Sequence, residues 1–293
     1  MSGVLWATAS GIGFGVFQSV NRRAIRGIED PYVSTFLQLS MATAVLVVAS
    51  LASEDLSQLG DATGRAIVIF ALAGIIHFVL GWLLLNMSQA RIGASRTAPL
   101  ITLTPLFGVV LAAVSLGELP HLAALAAIAP IMAGAWLLAS RGSGQVAIER
   151  DSAFAFGTAF MWALSAVMTV EALKGLDSPL LGVTLGLLAA TATLGGALLA
   201  RGSLGAIRAI ARDTLALKLF AAVLVAFATW FRLLALDETD VAVVLATNLA
   251  GVPVTLVLAP IMVGRHLEQA DARVWLGGLL VVAGVLTLIA IEA

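Results

Sequence analysis

The stretch TAPLITLTPLFGVVLAAVSLGELPHLAALAAIAPIMAG, Thr97 to Gly134, holds two apolar runs hinged at one polar corner, GELPH. A helix rises 1.5 Å per residue, so about 20 apolar residues cross the ~30 Å hydrocarbon core of a bilayer. Both runs read as parts of such spans. The rest of the 293-residue chain has the same character: 60% hydrophobic and 11% charged, with a mean hydropathy of +1.05. A soluble domain carries about a quarter charged residues, so a soluble enzyme with a large core is excluded by lack of polar surface. The reading is an all-α integral membrane protein with several spans.

Ten apolar stretches recur, at about 3–21, 32–52, 66–88, 93–115, 121–139, 153–172, 179–200, 214–235, 240–263 and 272–291. Charges and turn formers collect between them, as in NRRAIRGIEDP, SEDLSQLGD and SRGSGQVAIERD. No connection is long enough for a soluble domain. Arg201 to Asp213 reads as a short amphipathic interfacial helix. The start, MSGVLWATAS, lacks a basic n-region and is expected to be a retained first span rather than a signal peptide.

Thr97–Gly134 has a weaker second copy, ATNLAGVPVTLVLAPIMVGRHLEQADARVWLGGLLVVAG, Ala246 to Gly284. Trp82 precedes Pro105 by 23 positions, and Trp230 precedes Pro253 by 23. Glu118 precedes Gly134 by 16, and Glu268 precedes Gly284 by 16. A two-residue insertion near GRHLE reconciles the registers. The chain therefore reads as a duplication, residues 1–140 and 152–293, with five spans in each half. Five is odd, so the second copy begins on the opposite side of the membrane. That is an inverted-topology repeat, an architecture of many secondary transporters.

Lys and Arg counted by connection give 13 on the side after spans one, three, five, seven and nine. The other side has three, Arg65, Lys174 and Arg232. The positive-inside rule then places both termini outside the cytoplasm.

Proline, apolar helix, G-E and a later apolar-A-G, repeated in a ten-span chain, resemble EamA-type transporters of the drug/metabolite transporter superfamily. The resemblance covers nearly the whole chain. It implies a secondary transporter in a bacterial inner membrane, more usually an exporter, of small organic metabolites such as amino acids or related amphipathic solutes; a monomer is expected rather than an obligate oligomer. Two features depart from the pattern. Gly117-Glu118 is followed by Leu119 where members read Arg, and the family's cytoplasmic termini oppose the charge count.

Polar groups inside spans are costly in hydrocarbon and face the protein interior or a watery cavity. On the first span, Gly11, Gly15, Gln18 and Arg22 share one face. Gly11 and Gly15 form a small-xxx-small pair, which reads as a packing seam or as the wall of a passage. Gly11, Gly13 and Gly15 also approach a G-x-G-x-x-G fingerprint, but that needs a preceding strand, so a dinucleotide cradle is discarded. Trp82, Asn86 and Gln89 share a face of the third span and suit a wall that stacks on and hydrogen-bonds a small solute. His77 lies on another face; it either carries a proton or is a neutral histidine bonded to a neighbouring helix. Arg96 and Thr97 open the fourth span. If it faces the cavity, Arg96 favours a carboxylate, and the alternative is headgroup contact. Asn248 lies on the ninth span, and Trp162 and Trp230 on the sixth and eighth. The candidate substrate-binding set is therefore Gln18, His77, Trp82, Asn86, Arg96, Thr97, Trp162, Trp230 and Asn248. Glu118 and Glu268 read as structural groups at equivalent helix ends.

The chain has no cysteine and three histidines, so neither metal nor other cofactor is expected. A net charge of −1 gives no reason to expect nucleic-acid binding. The rival class is an integral-membrane enzyme acting on a lipid or isoprenoid, but H-E-x-x-H, paired intramembrane aspartates, D-D-x-x-D and a P-loop are all missing from the sequence.

Overall fold

The computed structural model describes residues 2–92, 97, 100–117, 121–139, 151–263 and 272–292. Those residues form helices and connecting turns, with no strand among them. In chain order the helices are α1 (Ser2–Ile25), α2 (Pro31–Ser53), α3 (Gly64–Ile92), α4 (Thr104–Ser115), α5 (Leu122–Ala139), α6 (Ser152–Leu173), α7 (Pro179–Ala200), α8 (Arg212–Glu238), α9 (Val241–Thr247), α10 (Gly251–Val263) and α11 (Ala272–Glu292). A single turn, Gln58–Asp61, precedes α3, and a 3₁₀ turn, Asn248–Ala250, joins α9 to α10. Six helices, α1, α2, α3, α6, α7 and α8, are long and apolar enough to cross a membrane. Shorter apolar helices occupy the other four expected positions.

Local chemistry explains several boundaries. Asp30 accepts a hydrogen bond from the Tyr32 N–H at 2.7 Å, and Pro31 supplies the first residue of α2. Ser178 and Pro179 open α7 in the same way, with Ser178 Oγ accepting from the Leu181 N–H. The expected amphipathic helix over 201–213 is a 3₁₀ segment, Ser203–Ala209, with the Arg201 guanidinium over the Tyr32 ring at 4.8 Å.

Side chains are arranged for a lipid solvent. Val48, Leu51, Val114, Leu199 and Ile261 point outward, each more than 60% exposed. The interior is rich in small and hydroxylated residues, such as Ala155, Ala159, Ala163, Ala166, Thr158 and Ser165. Small residues let helices approach where no hydrophobic effect drives them together. The Gly11/Gly15 face is such a seam. A Cβ on Gly15 would run into the Gly251 carbonyl and Val254, and one on Gly11 into the Asn248 backbone. The Thr255 hydroxyl donates to the Gly15 carbonyl at 3.2 Å across the same contact. The seam therefore brings α1 against the broken α9–α10 stretch.

The middle of α3 departs from α-helix. Ile75–Gly81 is π-helical, with i→i+5 bonding that lengthens each turn by about one residue. His77 lies in it. Face assignments at 100° per residue therefore fail between His77 and Trp82.

Two charges counted with the connections lie inside the bundle instead. Lys218 is fully buried and Arg232 is 4% exposed, both on α8. Without them the Lys/Arg count becomes 12 against two, so the direction of the bias is unchanged.

Candidate functional site

α1, α3, α6, α8 and the α9–α10 break enclose a cavity with about 60 Å³ of free volume. Seating one water needs about 10–15 Å³ of such volume, so the space admits a few waters in this conformation. Phe14, Ile101, Leu245, Leu249 and Val252 supply apolar wall. Gln18, His77, Thr104, Trp162, Arg232 and Asn248 supply the polar wall.

The centre of the site is Arg232. It makes no salt bridge with any described residue. Its Nη2 donates to His77 Nδ1 at 3.1 Å. A guanidinium has only donors, so Nδ1 accepts and the ring hydrogen lies on Nε2. His77 is thereby held as a neutral histidine bonded to a neighbouring helix, the second of its two expected readings. Ser165 Oγ lies 2.9 Å from the same Nδ1 and 2.9 Å from the Trp162 carbonyl. The His77 ring stacks on Trp162 with centroids 5.6 Å apart and planes at 22°, and Phe14 lies beyond at 6.2 Å. Gly81 makes this stack fit, because a Cβ there would meet the Trp162 indole at 2.6 Å.

Five buried polar atoms on residues of this wall have no hydrogen-bond partner among the described residues: Gln18 Oε1, His77 Nε2, Trp162 Nε1, Arg232 Nε and Asn248 Oδ1. Leaving one such atom unpaired costs about 1–3 kcal/mol. Three are donors and two are acceptors, so the wall offers both kinds of hydrogen-bonding group to whatever occupies the cavity.

The structure brings together four of the nine expected site residues, Gln18, His77, Trp162 and Asn248. The others lie elsewhere. Trp82 is 1% exposed and packs behind the wall against Phe78 and Phe17, with ring centroids at 5.0 and 6.2 Å. Asn86 is committed to structural bonds, accepting from Asn21 Nδ2 at 3.2 Å and donating to Thr35 Oγ1 at 2.7 Å. Thr97 Oγ1 pairs with Ser88 Oγ at 2.7 Å. Trp230 sits in an aromatic cluster with Phe227 and Phe231. Arg96 lies outside the described residues, as do Glu118 and Glu268. Arg232 was missed because it was counted as a loop charge. The available signal was its place inside the 214–235 apolar run, where an ionisable residue is a functional candidate by default.

Comparison with known proteins agrees with the membrane architecture. A solved crystal structure superposes over 99% of this chain and 97% of its own with a TM-score of 0.73, at 17% sequence identity. That likeness concerns the fold alone. Phosphoenolpyruvate/phosphate translocator 1, chloroplastic, from Arabidopsis thaliana, is 26% identical over 118 residues. The match spans 40% of this chain and 28% of the translocator's own length. The model of the EamA-like transporter family matches residues 1–140. Over that stretch the chain is similar to the EamA-like transporter family.

Proposed function

We propose that this membrane transporter is a secondary exporter of small amphipathic metabolites that carry a carboxylate, amino acids above all, in a bacterial inner membrane. The observation that carries the reading is Arg232, a buried guanidinium with no acidic partner among the described residues, facing a wall of unpaired dipoles. A carboxylate there accepts from Arg232 Nε and from the Trp162 and His77 ring N–H groups. An ammonium group donates to Gln18 Oε1 and Asn248 Oδ1. An apolar side chain rests on Phe14, Leu245 and Leu249. The apolar rest for the side chain disfavours a second ammonium, as in lysine.

The proposal includes ten crossings in two inverted five-span repeats, 1–140 and 152–293, rocking around this cavity as a monomer. Helix neighbours support it. α5 packs on α11, α2 on α7, and α4 on α9, each pair at matching places in the two halves. α1 packs on α8 and α3 on α6, a reciprocal pair; α1–α10 and α4–α6 form another. Such reciprocity is what a two-fold axis in the membrane plane produces. The equivalent starts at Asp30-Pro31 and Ser178-Pro179 agree. With room for only a few waters, the cavity cannot hold an amino acid in this conformation, so the reading requires it to widen during an alternating-access cycle.

The test is solute flux in proteoliposomes loaded with L-leucine, L-phenylalanine or L-lysine. The reading expects release of the first two in preference to lysine, reduced in Asn248→Ala. If none of the three moves, while purified protein turns over a lipid, the transporter reading fails in favour of the enzyme.

A further inference from the structure

Lys218 lies outside the cavity, yet it is the other buried cation of α8. Its Nζ donates to Asn21 Oδ1 at 2.7 Å and to Gln38 Oε1 at 3.3 Å. From Asn21 the bonds run on in one direction: Asn21 Nδ2 to Asn86 Oδ1, Asn86 Nδ2 to Thr35 Oγ1, and Thr35 Oγ1 to the Pro31 carbonyl. The chain ties α8, α1, α3 and α2 together. Each amide in it is oriented by its neighbour, so none can turn to offer Lys218 another acceptor without breaking a bond.

Counting donors decides the state of the amine. An ammonium has three N–H donors and a neutral amine two. Lys218 meets two acceptors among the described residues and no carboxylate. The closed site therefore pairs both N–H donors of a neutral amine and leaves an ammonium one donor short, in a place 0% exposed. The surrounding charges do not alter this. α2, α7 and α9 carry no Asp, Glu, Lys, Arg or His. On α1, Arg22 donates to the Gln89 carbonyl at 2.9 Å, and Arg23 is exposed. On α3, Arg91 pairs with Asp151 at 2.7 Å, Arg65 pairs with Glu171 at 2.8 Å, and His77 binds Arg232. Glu171, the acid of α6, also holds Lys174. On α8 itself, Arg212 and Asp213 are exposed, and Arg232, Asp237 and Glu238 lie at least 14 residues away, about 21 Å along the helix.

We propose that Lys218 is a proton-exchange site of the transport cycle. Its amine is neutral while α1, α2 and α3 close on it. When these helices part, water reaches Nζ and protonates it, and the ammonium releases that proton to water before the site closes again. The site begins one turn beyond the cavity, since Asn21 follows Gln18 by three residues on α1. Opening toward that side of the membrane is therefore paired with proton uptake. The coupling to solute rests on the transporter reading, whereas the proton site itself does not.

The experiment exploits a chain without cysteine. Ser34 is 1% exposed, lies one turn before Gln38 on α2, and its Oγ has no partner among the described residues, so Ser34→Cys loses no bond. Its alkylation by N-ethylmaleimide is followed in solute-free proteoliposomes with Lys218, Lys218→Met or Lys218→Arg. Dividing by the rate in the Lys218→Met background removes the thiol's own pH dependence. The normalised rate should rise as pH falls from about 8.5 to about 5.5, by up to ~tenfold per pH unit for one linked proton. Lys218→Arg, which keeps its charge, should label fast at every pH. A flat normalised profile, or Lys218→Arg labelling as slowly as Lys218→Met, would overturn the proposal. Adding the amino-acid flux assay separates the two readings. A pH response through Lys218 without flux sinks the transporter reading and keeps the proton site. Flux with a flat profile does the reverse.

Discussion

α8 carries two buried cations, and their surroundings differ. Lys218 and Arg232 are 14 residues apart, which on an α-helix is about 21 Å and within about 40° of the same face. Between them the buried face is small and mostly apolar: Ala221, Ala222, Val225, Ala226, Ala228 and Thr229. Neither cation meets an acid among the described residues. At Lys218 the neighbouring helices supply amide acceptors, and the junction is closed. At Arg232 they supply one imidazole nitrogen and leave Nε free beside a cavity. A buried charge is tolerated only where the protein or a ligand solvates it. The comparison therefore separates a site completed by protein from one completed by solute.

The largest effect that could break this contrast is at Arg232. Removing one partner of a buried charge-assisted contact costs about 2–5 kcal/mol. Arg232→Ala should thus lower amino-acid flux at low solute concentration at least ~30-fold, as each 1.4 kcal/mol is tenfold. Arg232→Lys keeps a charge but not the planar fork that binds His77 and a carboxylate together, so it should recover only part of the loss. Near-normal flux in Arg232→Ala would move the solute away from this cavity.

Stability tests sharpen the other half. Asn21→Ala removes an acceptor of Lys218 and leaves Asn86 Oδ1 without its Asn21 donor, at about 1–3 kcal/mol per buried group. Lys218→Met leaves Asn21 Oδ1 and Gln38 Oε1 without their Lys218 donor, but it relieves the burial of the amine and keeps a side chain of similar length, so no cavity opens. The expected order of thermal stability in detergent is wild type, then Lys218→Met, then Asn21→Ala. The same ranking separates Lys218 from the α1 seam. Gly15→Val presses a branched side chain into the Gly251 backbone, and overpacking costs about 1–3 kcal/mol. It should lower thermal stability even though no charge or hydrogen bond is deleted. A reversed order between Lys218→Met and Asn21→Ala would show that Lys218 itself, not the amide chain, holds the junction.

Much of the fold was legible because a membrane leaves few options. Apolar runs of helix length, small-residue faces and turn chemistry at Asp30-Pro31 depend on local sequence; six of the ten runs form helices long enough to cross a membrane, and shorter apolar helices stand at the other four. The Gly11/Gly15 face packs as a seam, and Gln18 continues it to the cavity. The site was legible only in part, for physical reasons that can be named. Asn86 and Gln18 look alike in sequence, but one finds Asn21 and Thr35 across the bundle and the other does not. His77 lies in a π-helical stretch, which hydrophobic periodicity does not reveal. Arg232 was readable from its apolar neighbours, and a charge count across connections hid it.

Smaller effects define the floor against which the interior cations stand out. Ser165→Ala deletes a hydroxyl beside His77 Nδ1 while Arg232 still donates to the ring. One hydrogen bond is worth about 0.5–1.5 kcal/mol, so half-saturation for flux should rise by no more than about tenfold. Arg91 is the external control: its guanidinium meets Asp151 at 2.7 Å and covers Phe154 at 4.5 Å, but both ends of the ion pair are about half exposed. Water and salt screen such a pair, and exposed pairs contribute about 0–1 kcal/mol. Arg91→Gln should therefore shift thermal stability little and leave flux intact, the small shift shrinking further in high salt. An effect as large as that of Arg232→Ala would mean that position on the helix, not burial without an acid, governs which cations of this protein matter.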